Sequence, residues 1–144
     1  MRKMLVALDG SPREGDVLGA AIALGRKTGA KLLLFRSVGV SQEVPREAYA
    51  MAPEEVPRLL ERQALAHLAS LEARVPEEIR GGVRVLVGTP WQAIQKGAEE
   101  ADADLIVIGS HGYQPMDRVL GTTAAKVVNH ADRAVLVVRA AERL

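Results

Sequence analysis

The residues with the clearest chemical capacity lie between Leu105 and Val128, in the run LIVIGSHGYQPMDRVLGTTAAKVV. Leu105 to Ile108 is a short apolar stretch rich in β-branched residues, the pattern of a strand covered on both faces of a parallel sheet. It is followed by Gly109, Ser110, His111 and Gly112, then eight residues, then Gly121, Thr122 and Thr123 opening an Ala/Val-rich helix. Glycines at both edges of such a loop let backbone amides come close to a ligand, since no Cβ intervenes. A helix opening at Gly121 presents unpaired N–H groups and the positive end of its dipole, which together favour an anion such as phosphate. The Thr122 and Thr123 hydroxyls add donors. The chemistry expected is anion holding by backbone and hydroxyl groups.

The same run resembles the nucleotide-binding signature of the universal stress protein family, which reads Gly-x2-Gly-x9-Gly-Ser/Thr in the members that bind ATP. Here it is Gly109-x2-Gly112-x8-Gly121-Thr122, one residue shorter. One residue removes at most roughly 3.5 Å of reach and leaves both glycine ends in place. The likeness spans the chain, from the LVALDGS opening to the AVLVVR ending. It implies a small cytoplasmic regulatory protein of the stress response that binds ATP, with Mg²⁺ carried by the phosphates. It also implies a homodimer whose last strand pairs antiparallel with its copy, and an unidentified protein partner. Family members without the full signature act without nucleotide, as interaction modules, and the shortened spacer keeps that reading open.

The elements that must position this loop can be read in order. Lys3 to Leu8 is a first strand, followed by a turn at Asp9 and Gly10. Ser11, Pro12 and Glu14 form a helix-start pattern of cap, first-turn proline and returning carboxylate, so Ser11 reads as an N-cap before it reads as a ligand contact. Asp9 has two readings, a turn carboxylate bonding its own backbone or an acceptor for an adenine amino group or ribose hydroxyl. The helix runs to Thr28 and stops at Gly29. Lys31 to Arg36 is a second strand, and Val38 just beyond it matches a position that lines the adenine pocket in the family, with core packing as its alternative. Between Gly39 and Pro53 the prolines break any pattern, and Tyr49 and Met51 are candidates to fold over a pocket. Val56, Leu60, Ala64, Leu68, Leu71 and Val75 form one helical stripe, bordered by His67, which has no ligand-spaced partner and reads as structural. Gly82 to Val87 is a third strand. Thr89, Pro90 and Gln92 repeat the helix-start pattern, with Ile94 on the inner face and Trp91 packing at the sheet edge. A last helix from Thr122 ends at His130, placed to suit the helix dipole, and Ala134 to Arg139 is the last strand.

Five strands alternating with four helices predict a single α/β domain over residues 1–144, Rossmann-like, with a five-stranded parallel sheet and helices on both faces, and right-handed crossovers together with the family resemblance imply the doubly wound order 3-2-1-4-5. In that order strands one and four are neighbours where the winding reverses, the place where such sheets bind ligands. The Asp9 turn and the Gly109–Thr123 loop then converge. The candidate nucleotide site comprises Ala7, Leu8 and Asp9 after strand one and Val38 after strand two. It continues through Ile108, Gly109, His111 and Gly112 after strand four, to Gly121, Thr122 and Thr123 at the last helix.

Other chemistry finds little support. GTTAAK lacks the Gly-Lys-Ser/Thr end of a Walker A loop, and Lys126 reads as a solvated helix residue. Ser110 and His111 are adjacent in sequence and have no local orienting acid, so binding rather than turnover is expected, with slow hydrolysis as its limit. Asp117 and Arg118 are loop charges able to approach phosphates or a metal, with a salt bridge or a solvated loop as the default reading. With no cysteine, thiol chemistry and disulfides are excluded. A formal net charge of +1 and three percent aromatics give nucleic acid neither a basic stripe nor stacking platforms. No apolar run approaches a membrane span, and no signal-peptide pattern is present.

Overall fold

The computed structural model describes residues 1–39, 50–111 and 119–139. Within them, five strands alternate with four α-helices. The strands are β1 (Lys3–Ala7), β2 (Lys31–Val38), β3 (Arg80–Val87), β4 (Leu105–Gly109) and β5 (Ala134–Val138). The helices are α1 (Glu14–Thr28), α2 (Val56–Glu72), α3 (Pro90–Glu100) and α4 (Thr122–His130). Every strand pairing is parallel and the order is β3-β2-β1-β4-β5, the doubly wound arrangement expected from the alternation of elements.

The central strands read as unbroken apolar runs because both of their faces are covered. Successive side chains point to opposite faces, so each strand divides its residues between two cores. Met4, Val6, Leu32, Leu34, Leu105 and Val107 pack with Val17 and Leu18 of α1 and Leu68 and Leu71 of α2. Leu5, Leu33, Phe35, Ile106 and Ile108 pack with Ala93, Ile94 and Ala98 of α3 and Val127 of α4. The α2 stripe is as expected at Ala64, Leu68 and Leu71, but Leu59 is buried where Leu60 was expected, and Leu60 is only partly covered.

The helix ends test the capping patterns. Gly29 ends α1 in the left-handed conformation, φ 76°, its N–H donating to the Gly25 carbonyl at 2.8 Å. The start of α1 differs from the expected box. The helix opens at Glu14, not at Pro12, and Ser11 to Arg13 form a turn. The Ser11 amide already donates to Asp9 Oδ1 at 2.9 Å, so the Glu14 carboxylate returns one residue further back and accepts from the Gly10 amide at 2.7 Å. Thr89 is the N-cap of α3 and Pro90 its first residue, as expected, but the Thr89 side chain makes no capping bond.

β1 and β4 are tied together at the end opposite the ligand-binding edge. Asp104, just before β4, accepts from the Arg2 and Lys3 amides at 2.7 and 3.0 Å through one carboxylate oxygen. These backbone bonds hold its pKa below the ordinary 3.8. A carboxyl with a depressed folded-state pKa stabilises above its unfolded value, and the contribution is lost as pH falls through the folded one. Asp104→Asn is therefore expected to melt below wild type at neutral pH, the gap closing as pH drops under 3.8. Thermal melts from pH 7 to pH 2, on the order of one per unit, check this, and a gap independent of pH would contradict it.

Candidate functional site

The C-terminal ends of the strands surround a cavity of about 420 Å³ at the β1/β4 switch point. Its size lies within the roughly 300–1,000 Å³ usual for small-molecule sites. Five segments build it. The end of β1 and the turn into α1 contribute Ala7, Leu8, Asp9, Ser11, Arg13, Glu14 and Val17. The end of β2 contributes Phe35 and Ser37, and the first turns of α3 contribute Pro90 and Ile94. From β4 and its loop come Ile108, Gly109, Ser110 and His111, and from the start of α4 Gly121, Thr122, Thr123 and Ala124.

The chemistry of this lining is uneven. Phe35, Pro90, Ile94, Ala7 and Ile108 form an apolar group, while the β4–α4 segment offers backbone and hydroxyl donors. Helix α4 begins after Gly121 with no side-chain cap. The Gly121 amide is used by the Ser110 carbonyl at 2.7 Å, but the amides of Thr122, Thr123 and Ala124 meet no acceptor among the described residues. Three uncapped N–H groups at the positive end of a helix, opening on a cavity, are an arrangement suited to an anion.

The glycines at the loop's edges serve the protein's own packing. A Cβ on Gly109 would stand 3.0 Å from Val17 Cγ2, and one on Gly121 would stand 3.0 Å from the Ser110 carbonyl oxygen. The expected reason for glycine here was close approach to a ligand. What the missing Cβ admits is α1 at the first position and the β4 loop at the second, which brings the α4 amides to the cavity.

A model of the universal stress protein family matches residues 1–139. The chain belongs to the universal stress protein family. It is 34% identical to universal stress protein Sll1388 of Synechocystis, over 95% of this chain and 97% of that one. The solved structure of hypothetical protein MJ0577 superposes with a TM-score of 0.80 at 22% identity, covering 99% of this chain and 98% of that one. A universal stress protein in complex with cAMP superposes with a TM-score of 0.63 at 26% identity, covering 95% and 96%.

In this universal stress protein, Ala7, Leu8, Asp9, Ile108, Gly109, His111, Gly121, Thr122 and Thr123 meet around one cavity, although the segments lie about a hundred positions apart in sequence. Gly112, Asp117 and Arg118, like Pro45 and Tyr49, lie outside the described residues. Val38 does not line the cavity. It is 2% exposed, in the core shared with α1 and α2, and Ser37 lines the cavity in its place. The reason is strand parity: Val38 shares a face with Leu32 and Leu34, and its neighbour Ser37 shares one with Phe35. Asp9 realises its local reading through the Oδ1 bond to Ser11, and its exposed side chain also borders the cavity. Ser11 is 4% exposed and lines the cavity while its Oγ accepts from the Arg13 amide at 3.3 Å.

Arg13, Glu14, Val17, Phe35, Ser37, Pro90, Ile94, Ser110 and Ala124 were missed as cavity residues. For Pro90 and Ile94 a signal existed: a helix that follows a parallel strand begins at the sheet's ligand-binding edge, and positions i and i+4 share its inner face. Trp91 packs against the core under α3 and α4. Its ring lies 4.4 Å from that of His130, joining α3 to α4, and His130 Nδ1 donates to the Lys126 carbonyl at 2.8 Å. Lys126 itself is exposed. Among the described residues there is no cluster of three acidic, histidine or cysteine side chains able to hold a metal, and no helix long and apolar enough to cross a membrane.

Proposed function

We propose that this chain binds an adenine nucleotide, as Mg-ATP, in the cavity between β1 and β4, and that occupancy changes a surface read by a protein partner in the stress response. The observation that carries this reading is the uncapped start of α4, whose Thr122, Thr123 and Ala124 amides open on the cavity. Phosphate suits those amides, and a base suits the apolar lining of Phe35, Pro90 and Ile94. The complex of a 26%-identical family member with cAMP favours an adenine ligand. Mg²⁺ that keeps most of its ligands from phosphate and water would need little from the protein. Turnover is not the expected role: Ser110 and His111 are sequence neighbours, and slow hydrolysis is the most this lining would support. A cytoplasmic location fits a nucleotide-responsive chain without cysteine.

The reading includes a homodimer. β5 is the terminal strand of the sheet, pairs only with β4 among the described residues, and leaves Leu136 37% exposed. An edge of this kind is a template for strand pairing, and a two-fold axis would pair it with its own copy. A nucleotide-independent interaction module remains the second reading, favoured by the eight-residue spacer after Gly112.

Native mass spectrometry of the protein as purified tests ligand and assembly together. Expected is a dimer carrying adenine nucleotide, or one that takes it up from added Mg-ATP. Protein that stays nucleotide-free at millimolar Mg-ATP favours the second reading, and a monomer at micromolar concentration overturns the β5 pairing.

A further inference from the structure

Helix α2 contributes no residue to the cavity, yet it is bonded to Glu14, which holds the turn that does. His67 Nε2 lies 2.6 Å from Glu14 Oε1, across 53 positions of sequence, and Glu14 Oε2 accepts from the Gly10 amide at 2.7 Å. The Glu14 side chain is 13% exposed and that of His67 32%, so the first bond is shielded more than a surface ion pair. A carboxylate only accepts, so the imidazole donates from Nε2. Gly10 stands between Asp9 and Ser11, both at the cavity, and its φ of 75° is one that glycine alone adopts at little cost. On its other side the Arg36 guanidinium fills the space where a Cβ would be, with nitrogens at 3.1 and 3.2 Å from that position.

We propose that Glu14 and His67 are positioning residues for the Asp9–Ser11 turn, so that the placement of α2 sets the affinity of the site. The inference rests on the nucleotide reading above. Glu14 has one partner on each oxygen, one in α2 and one in the turn. A rotamer that satisfies both holds the turn at a fixed distance from α2. Without the imidazole, the carboxylate loses a charge-assisted bond and gains by turning toward water, which releases the Gly10 amide. By linkage, a nucleotide that requires the turn in its present place also tightens α2 against α1.

The test compares His67→Leu, which removes the donor, with His67→Gln, whose side-chain amide can still donate to Glu14. The Gly10 amide in ¹⁵N-labelled protein and the affinity for Mg-ATP are both read. In His67→Leu the Gly10 resonance moves, its hydrogen exchange quickens, and the affinity falls about 5- to 10-fold, less than the loss of a whole hydrogen bond to a charged ligand because His67 acts only through the turn. His67→Gln restores both. A Gly10 amide unmoved in folded His67→Leu, or a His67→Gln protein as weak as His67→Leu, overturns the relay. A wild type that binds no nucleotide overturns the functional reading instead, and the Gly10 amide alone then decides whether His67 positions the turn.

Discussion

Gly121→Val is expected to weaken Mg-ATP binding about a hundredfold in a chain that still folds. The backbone at Gly121, φ −62° and ψ 164°, is open to any residue, so the cost is steric rather than conformational. A Cβ there would meet the Ser110 carbonyl oxygen at 3.0 Å and His111 Nδ1 at 3.4 Å, and valine adds two further carbons to it. Relief requires the first turn of α4 to move away from the β4 loop, which breaks the 2.7 Å bond from the Gly121 amide to Ser110. The Thr122, Thr123 and Ala124 amides move with it. Hydrogen bonds to a charged acceptor contribute roughly 1.5–3 kcal/mol each, so losing one or two amounts to about two decades of affinity. Isothermal titration of wild type, Gly121→Ala and Gly121→Val, with circular dichroism to confirm folding, reads the series. A graded loss from alanine to valine is expected. Undiminished affinity in folded Gly121→Val would place the anion somewhere other than α4.

The largest effect on stability is expected at Phe35, where Phe35→Ala lowers the free energy of unfolding by about 3–5 kcal/mol. Phe35 is fully buried near the C-terminal end of β2, the largest side chain with no exposure among the described residues. Helix α3 accommodates the ring through Gly97, where a Cβ would stand 2.6 Å from Phe35 Cε2. Two consequences separate this packing from a generic core position. Gly97→Ala on its own overpacks the interface and costs about 1–3 kcal/mol. In a Phe35→Leu background the same substitution costs less, because the leucine withdraws the atoms that alanine would meet. Urea unfolding of the four proteins closes this double-mutant cycle, and the two residues touch, so the coupling is expected to be non-zero. Strict additivity would mean that α3 is not seated on the ring. Because Phe35 also lines the cavity, Phe35→Ala enlarges the apolar part of the site and bears on nucleotide affinity through the same atoms.

Some features were legible from the residues alone because they depend on neighbours a few positions away. The apolar runs at Leu105 to Ile108 and Lys31 to Arg36, the stop at Gly29 and the proline at the start of α3 lie where local pattern placed them. Where several local groups competed for one partner, pattern was not enough. Ser11, Pro12 and Glu14 spell a capping box, but Asp9 takes the Ser11 amide first and the carboxylate settles on Gly10. The difference is one residue in the chain, and it turns a helix cap into a support for the cavity wall.

The sequence by itself determined the order of strands and helices, since periodicity and turn chemistry are short-range properties; right-handed crossovers together with the family resemblance gave the doubly wound order, and that order the convergence of the Asp9 turn with the Gly109 and Gly121 loop ends. Only the tertiary structure decided which side chains share the cavity. Parity along β2 sends Val38 to one core and Phe35 toward the site, α3 brings Pro90 and Ile94 across to it, and His67 reaches Glu14 over 53 positions. Those outcomes depend on which helix covers which face and on distances between segments that no local pattern encodes.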